Sequence, residues 1–292
     1  MNPDVAVYTP GGWRRAGEPW RPEQPFYAVL GDPIAHSLSP AMQNAALDER
    51  ELPYEYVAVQ VAHEHLAALK RETRDGLLLG FNVTAPHKEA ASALCDGRTD
   101  AARVLGAVNT VKVEEGRWLG HNTDSGGMVT VLAEAWRGEE PPSRGVVLGA
   151  GGSGRAAVEA LLRWDVPRIE LMNRSAAGRE RAAAWLADRG LRDRVAVRPL
   201  EADREPPQTE PTAWVCCLAG GVPCAPYLPV AAGPDQALLL DLRYGGQRPA
   251  ESPPLGMHVV DGLPVLMMQG GLSFAWWFGP PVPWTAMRAA LP

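Results

Sequence analysis

A lysine at the switch from a strand to a helix occupies a place where a cation is disfavoured. In the stretch Phe81-Asn82-Val83-Thr84-Ala85-Pro86-His87-Lys88-Glu89, the preceding apolar residues 77–79 read as a buried strand between Gly76 and Gly80. Pro86 suits the first turn of the helix that follows, after Thr84 or Ala85, which puts Lys88 in that turn. The helix macrodipole opposes a positive charge there by about 0.3–1 kcal/mol. Taken alone, this segment reads as a solvated lysine beside Glu89, and what bears on any other role lies elsewhere in the chain.

The loop Gly149-Ala150-Gly151-Gly152-Ser153-Gly154 points to a different chemistry. Its three spaced glycines, Gly149, Gly151 and Gly154, stand between an apolar strand at 146–148 and a helix expected over 153–164, the context in which the pattern binds a dinucleotide. The first glycine permits the tight turn, the second lets backbone approach a pyrophosphate, and the third lets helix and strand pack closely. The pyrophosphate would rest on the helix N-terminus, whose N–H groups lack partners. At the end of the next strand, expected over 169–172, an NAD-preferring site would carry Asp or Glu for the ribose hydroxyls. This chain has Asn173-Arg174-Ser175, with Arg179 close behind. A guanidinium can form two charge-assisted bonds to a 2′-phosphate, so the expected cofactor is NADP.

The elements that must position these groups alternate. A strand at 27–30 runs into the turn Gly31-Asp32-Pro33, and Ser39 can cap a helix that has Pro40 at its first position and stops before Pro53. A strand at 54–61 and a helix at 64–74 precede the Lys88 segment. A helix near 101–105 follows, then a hairpin turning at Glu115-Gly116, and a helix over 125–137 entered from His121-Asn122-Thr123-Asp124. Residues 138–144 read as a linker. Beyond the glycine loop come a helix at 176–189, strands at 195–197, 214–218 and 237–242, and a polar, proline-rich loop at 201–212. Such alternation predicts an α/β fold with mostly parallel, layered sheets.

Composition sets the class. The chain has 292 residues, long for one core, so two domains are expected. A net charge of −6 without a basic block argues against a nucleic-acid partner. Cys95, Cys216, Cys217 and Cys224 show neither C-x-x-C spacing nor a histidine at metal-ligand spacing, so no metal is expected. Cys216 and Cys217 lie in an apolar run and should pack as small hydrophobes, which suits a reducing cytoplasm. Residues 1–25 carry no apolar signal segment and read as a flexible leader. The uncharged stretch 263–284 is interrupted by Gln269, Gly270, Gly271 and Ser273 and broken after Gly279, so a buried helix of about four turns is expected instead of a membrane span.

Taken together, the motifs make the chain similar to the shikimate dehydrogenase family from about residue 27 to 278. They are Gly31-Asp32-Pro33-Ile34-Ala35-His36-Ser37-Leu38-Ser39-Pro40, Asn82-Val83-Thr84 with Pro86-His87-Lys88, Gly106-Ala107-Val108-Asn109-Thr110, Gly120-His121-Asn122-Thr123-Asp124, the glycine loop, Asn173-Arg174-Ser175, and Asp261-Gly262-Leu263 with Gln269. The resemblance implies reversible, NADPH-dependent reduction of 3-dehydroshikimate to shikimate in aromatic amino-acid biosynthesis. It implies a substrate-binding domain over 26–124 that recruits C-terminal helices at 263–292, and a Rossmann-like NADP domain over 125–262. Lys88 and Asp124 become the catalytic pair. Ser37, Ser39, Thr84, Asn109, Tyr244 and Gln269, with Asp124, become ligands of the substrate's carboxylate and hydroxyls, and Gly262 joins the cofactor site. A small-molecule substrate is the expected partner, with no membrane, in a monomer or homodimer. The residue types agree, because a polyhydroxylated carboxylate calls for many short neutral hydrogen-bonding groups.

One segment departs from the family pattern. Where an Asn-Ala-Thr type of stretch is usual, this chain has Val215-Cys216-Cys217-Leu218-Ala219-Gly220-Gly221, small enough for close backbone approach but without those donors. Three alternatives follow. A quinate/shikimate dehydrogenase would need room near Ser37 and Ser39 for one more hydroxyl. Methylenetetrahydrofolate dehydrogenase also uses a lysine, but the paired serines and Asn122-Thr123-Asp124 speak against it. A non-catalytic ligand-binding relative would have no need of Lys88 and Asp124.

Overall fold

The computed structural model describes residues 5–202, 209–233, 236–249 and 254–292. The chain divides into two compact units, residues 1–123 with 269–292, and residues 124–268.

The first unit is built on a nine-stranded sheet with strand order β3-β2-β1-β5-β4-β6-β8-β9-β7. In chain order its elements are β1 (Val5–Thr9), β2 (Gly12–Arg15), β3 (Glu18–Pro19), β4 (Phe26–Gly31), α1 (Ser39–Glu49), β5 (Glu55–Val61), α2 (Leu66–Glu72), β6 (Leu78–Val83), α3 (Lys88–Leu94), β7 (Gly97–Arg98), α4 (Asp100–Leu105), β8 (Thr110–Glu114) and β9 (Arg117–His121). Strands β1, β5, β4 and β6 run parallel, and β8 and β9 return as an antiparallel hairpin. All six residues of β4 are buried, the pattern of a parallel strand covered on both faces. Phe26, Leu30, Val59, Leu69, Phe81 and Trp118 share the core.

Two expectations are corrected here. The supposed flexible leader is ordered sheet: β1 pairs in parallel with β5 from Val5↔Ala58 to Tyr8↔Val61, and β2 and β3 continue outward. Residues 1–4 of that segment lie outside the described residues, as do 203–208 of the polar loop expected over 201–212. The strand read at 77–79 runs on to Val83, through Gly80. A Cβ at Gly80 would sit 2.8 Å from Tyr27 Cε1 and 2.9 Å from Trp277 Nε1, so the missing side chain admits two aromatic rings and does not end the strand.

The second unit contains α5 (Asp124–Ala135), β10 (Arg144–Leu148), α6 (Gly152–Arg163), β11 (Arg168–Asn173), α7 (Ala176–Asp188), β12 (Val195–Pro199), β13 (Thr212–Cys216), β14 (Ala237–Asp241) and β15 (His258–Val260). Its six-stranded sheet, ordered β12-β11-β10-β13-β14-β15, is parallel throughout. That is the doubly wound order of a dinucleotide-binding domain, with its switch point between β10 and β13. The chain then enters α8 (Leu263–Phe278) and α9 (Trp284–Ala289). The division between units falls at 268/269, inside α8, and from Gln269 onward the helix belongs to the first unit. There Gln43 Nε2 donates to Gly270 O at 3.0 Å and Trp277 Nε1 to Val111 O at 3.0 Å. Burial against that sheet accounts for a helix without charge. Among the described residues, no helix is long and apolar enough to cross a membrane.

Candidate functional site

In the first unit the candidate residues gather at the carboxyl ends of β4 and β6, the end of a parallel sheet where ligands bind. Thr84 follows β6 and its amide donates to Leu30 O at 2.9 Å, while Asp32 N donates to Ala85 O at 3.3 Å. These bonds draw the Gly31–Pro40 and Thr84–Lys88 segments together. Ser37 Oγ accepts the Ser39 amide at 3.3 Å. The expectation that Ser39 caps α1 is therefore corrected: Leu38 is the cap residue, Ser39 already lies in the helix, and Ser39 makes no capping bond.

Lys88 is the first residue of α3, half-buried, with His87 as the cap residue. Pro86 lies before the helix and not in its first turn, a further correction. Lys88 is anchored through its carbonyl, which accepts from Val108 N at 3.0 Å. His87 is fully buried; its Nε2 donates to Val61 O at 2.7 Å, and its Nδ1 finds no partner among the described residues. Burial holds this imidazole below the ordinary value of 6.5, with the Val61 carbonyl pulling the other way.

Asn109 is buried and held at both ends of its amide. Its Nδ2 donates to Thr123 Oγ1 at 2.9 Å and to Gln269 Oε1 at 3.3 Å, and its Oδ1 accepts from Thr123 N and Thr110 Oγ1, both at 2.9 Å. A second amide, Asn82, donates to Asn109 O (3.1 Å), Thr110 Oγ1 (3.1 Å) and Ser273 Oγ (3.0 Å), and accepts from Tyr56 OH at 2.7 Å. Ser273 Oγ donates to Gln269 O at 2.9 Å. The structure thus joins Asn109 and Gln269, 160 positions apart, through a buried network. Sequence reasoning missed Tyr56 and Ser273 as members. Ser273 lies four residues after Gln269, on the same helix face, and that spacing was the available signal.

In the second unit, Gly149 has φ +106°, and Cβ atoms at Gly149 and Gly154 would meet backbone, Cys217 O at 3.0 Å and Gly149 O at 1.9 Å. Gly151 differs: its backbone is extended (φ −75°, ψ −169°) and a Cβ there would meet nothing within 4 Å. The fold therefore requires the first and third glycines, while the second faces open space where a phosphate can approach. Ala150 N donates to Asn173 Oδ1 at 3.3 Å, tying the loop to the end of β11. Gly152 and Ser153 open α6. Ser175 caps α7, accepting Gly178 N at 3.2 Å, and Asn173 Nδ2 donates to Ser175 Oγ at 3.2 Å. Arg179 donates to the carbonyls of Asn173 and Arg174, at 3.0 and 2.8 Å, and so supports the turn on which exposed Arg174 stands. This donor set suits a dinucleotide carrying an additional phosphate.

Asp124, buried, is the first residue of α5. Tyr244 precedes a short turn at Gly245–Gln247. Gly262 donates to Arg243 O at 3.3 Å and lies so near Leu242 that a Cβ would be 2.0 Å from its carbonyl oxygen. Cys216, Cys224 and Asp241, all buried, bring ligand-type atoms within 4.8 Å of one another, a trio the spacing did not signal. The Asp241 carboxylate accepts from Arg243 Nε and Nη2, both at 2.8 Å. Burial works against the Arg243 charge, but the bonds to Asp241 outweigh it and hold the guanidinium more firmly protonated than usual. Arg243 also donates to Val222 O, pinning the segment after β13.

The chain is similar to known proteins over most of its length. The sequence model of the shikimate dehydrogenase substrate binding domain matches residues 29–111. The shikimate dehydrogenase (NADP(+)) of Magnetococcus marinus is 32% identical over 266 residues, 89% of this chain and 93% of that protein. The enzyme of the same name from Anaeromyxobacter sp. (strain Fw109-5) is 38% identical over 91% of this chain and 95% of its own. The crystal structure of shikimate 5-dehydrogenase from Thermus thermophilus, in complex with NADP(H) and shikimate, is similar with a TM-score of 0.71 at 34% identity, over 92% of this chain and 100% of that one.

Proposed function

The chain belongs to the shikimate dehydrogenase family, and we propose that it catalyses the reversible reduction of 3-dehydroshikimate to shikimate with NADPH. The observation that carries this reading is the bonding of Asn109 to Gln269 and Thr123 at the carboxyl end of β6, beside the segment that ends in Lys88. Short neutral donors and acceptors held in fixed orientation suit a ring bearing a carboxylate and several hydroxyls.

In the proposed mechanism Ser37 and Ser39 hold the substrate carboxylate, and Thr84, Asn109, Tyr244 and Gln269 hold the hydroxyls. NADPH, when bound, supplies a hydride to the ketone carbon. The Lys88 ammonium stabilises the oxyanion that develops and gives it a proton, leaving a neutral amine that solvent reprotonates. Asp124 orients Lys88 and accepts from a substrate hydroxyl. Gly149, Ala150, Gly151, Gly152, Ser153 and Gly154 would seat the pyrophosphate, Arg174 and Arg179 beside Asn173 and Ser175 would take the 2′-phosphate, and Gly262 would join the cofactor site. This reading places the protein in the cytoplasm, as a monomer or homodimer with small-molecule partners.

A spectrophotometric assay of shikimate with NADP⁺, run beside quinate and beside NAD⁺, tests the proposal. Turnover with shikimate and NADP⁺ should exceed the other combinations; equal rates with the two nicotinamides would overturn the Arg174 assignment. Lys88→Ala should keep the fold and shikimate binding yet lower kcat by about 10²–10⁴. Asp124→Asn should lower kcat/KM comparably. Near-normal turnover of Lys88→Ala would remove that residue from the mechanism, and binding without turnover in the wild type would favour a non-catalytic relative.

A further inference from the structure

Strands β2 and β3 do more than widen the first sheet. With the chain entering β4 and the end of α2, they wall a cavity of about 360 Å³. The family match begins at residue 29, so β2, β3 and Phe26 precede it, while the lining from Glu72 to Leu78 lies within it. Leu77 and Leu78, at the start of β6, line the cavity, whereas Thr84 and Lys88 lie beyond that strand's other end. The six residues of β6 put roughly 20 Å between the two places.

Trp13, Trp20 and Phe26 form one side of the cavity. Their rings meet edge to face, with centroids 5.7–6.0 Å apart, an arrangement that leaves ring faces for other neighbours. The Arg15 guanidinium lies 5.6 Å from the Trp20 centroid, so the cluster already accepts one cation. Two carboxylates, Glu72 and Asp75, also line the cavity. Glu72 Oε1 accepts from Tyr8 OH at 2.8 Å, and Asp75 Oδ1 accepts from Leu77 N at 3.0 Å, so one oxygen of each is fixed. Neither carboxylate has a cationic partner among the described residues. Arg21, the one cation on the lining among the described residues, leaves the acids in excess.

We propose that this cavity is a binding site for a small organic ammonium ion, its charge against Glu72 and Asp75 and its flat apolar body against Trp13, Trp20 and Phe26. The volume suits a compact ligand, near the lower end for small-molecule sites. The ammonium matches the unpaired carboxylates and the negative ring faces at once.

The test is calorimetric titration of the full chain with 2-phenylethylammonium chloride and, separately, with uncharged 2-phenylethanol. The ammonium should bind saturably at one site, about tenfold more tightly than the alcohol, the gain of a largely desolvated cation–π contact. The double variant Glu72→Gln, Asp75→Asn keeps an acceptor for Tyr8 and for Leu77 N while removing both charges. It should bind the two compounds alike and retain wild-type turnover of shikimate, which shows that it is folded. Absence of saturable ammonium binding, equal affinity for both compounds in the wild type, or an undiminished preference in the double variant would each overturn the proposal.

Discussion

Replacing Gly151 by alanine separates what the glycine loop does for the fold from what it does for a ligand. The backbone there is extended, at φ −75° and ψ −169°, a conformation alanine adopts without strain, and the new methyl meets no atom within 4 Å. Two small effects oppose one another. Alanine is a poorer cap residue than glycine, while losing a glycine from the unfolded chain contributes about 0.4–1 kcal/mol to stability. The urea midpoint should move little. For a bound pyrophosphate, the methyl stands where backbone must approach, and displacing one charge-assisted bond costs about 1.5–3 kcal/mol, roughly ten- to a hundredfold in Kd. NADPH titration by fluorescence should show that loss, with shikimate affinity in the absence of nucleotide unchanged. Gly154→Ala supplies the contrast. Its methyl would lie 1.9 Å from Gly149 O, a backbone atom that cannot turn aside, and the fold should lose about 1–3 kcal/mol or more. Wild-type NADPH affinity in Gly151→Ala would refute the assignment of this loop to the cofactor.

Other consequences are equally open to measurement. Ser273→Ala withdraws an acceptor from buried Asn82 and should cost about 1–3 kcal/mol by urea denaturation; an unchanged midpoint contradicts the role given to that network. Arg243→Met removes the nearer of two guanidinium partners from the Asp241 carboxylate, which is 0% exposed, and leaves Arg248 Nε at 3.4 Å; it should cost up to about 3–5 kcal/mol, much of it recovered in Arg243→Met, Asp241→Asn. Burial depresses the imidazoles of His87 and His121, so below the ordinary value of 6.5 the unfolded chain binds more protons than the folded one. The stability they contribute is complete above about 6.5 and is lost as the pH falls toward the folded values. His87→Gln, whose amide can still donate to Val61 O, should flatten that acid slope; an identical slope would assign it elsewhere.

What could be read from the sequence was what neighbours in the chain decide. The glycine loop is such a case, because turn, cap and strand end all lie within a few residues, and α6 begins one residue from its expected start. The pairing of Asn109 with Gln269 was legible only as membership of one pattern, since nothing local brings an amide at the start of β8 to a helix near the chain's end. Tyr56 and Ser273 escaped notice because their hydroxyls matter only after the sheet and α8 have met. The trio of Cys216, Cys224 and Asp241 depends likewise on two parallel strands lying side by side. The misreading of residues 1–25 was of another kind. Val5-Ala6-Val7-Tyr8-Thr9, followed by Gly11-Gly12, carries a β-branched run and a turn, and that hairpin signal was outweighed by the prolines and glycines around it.

The extra strands also settle how the first sheet ends. One border is β3 and the other β7, each only two residues long, and β3 closes on Pro19, which has no N–H to offer. Without β1 to β3 the border would instead be β5, seven residues with a row of backbone groups ready to recruit a stranger. As built, neither margin gives a second molecule enough ladder to zip onto, so the amino-terminal hairpin doubles as a guard against sheet-to-sheet aggregation. A chain trimmed to begin at β4 should lose solubility as a result.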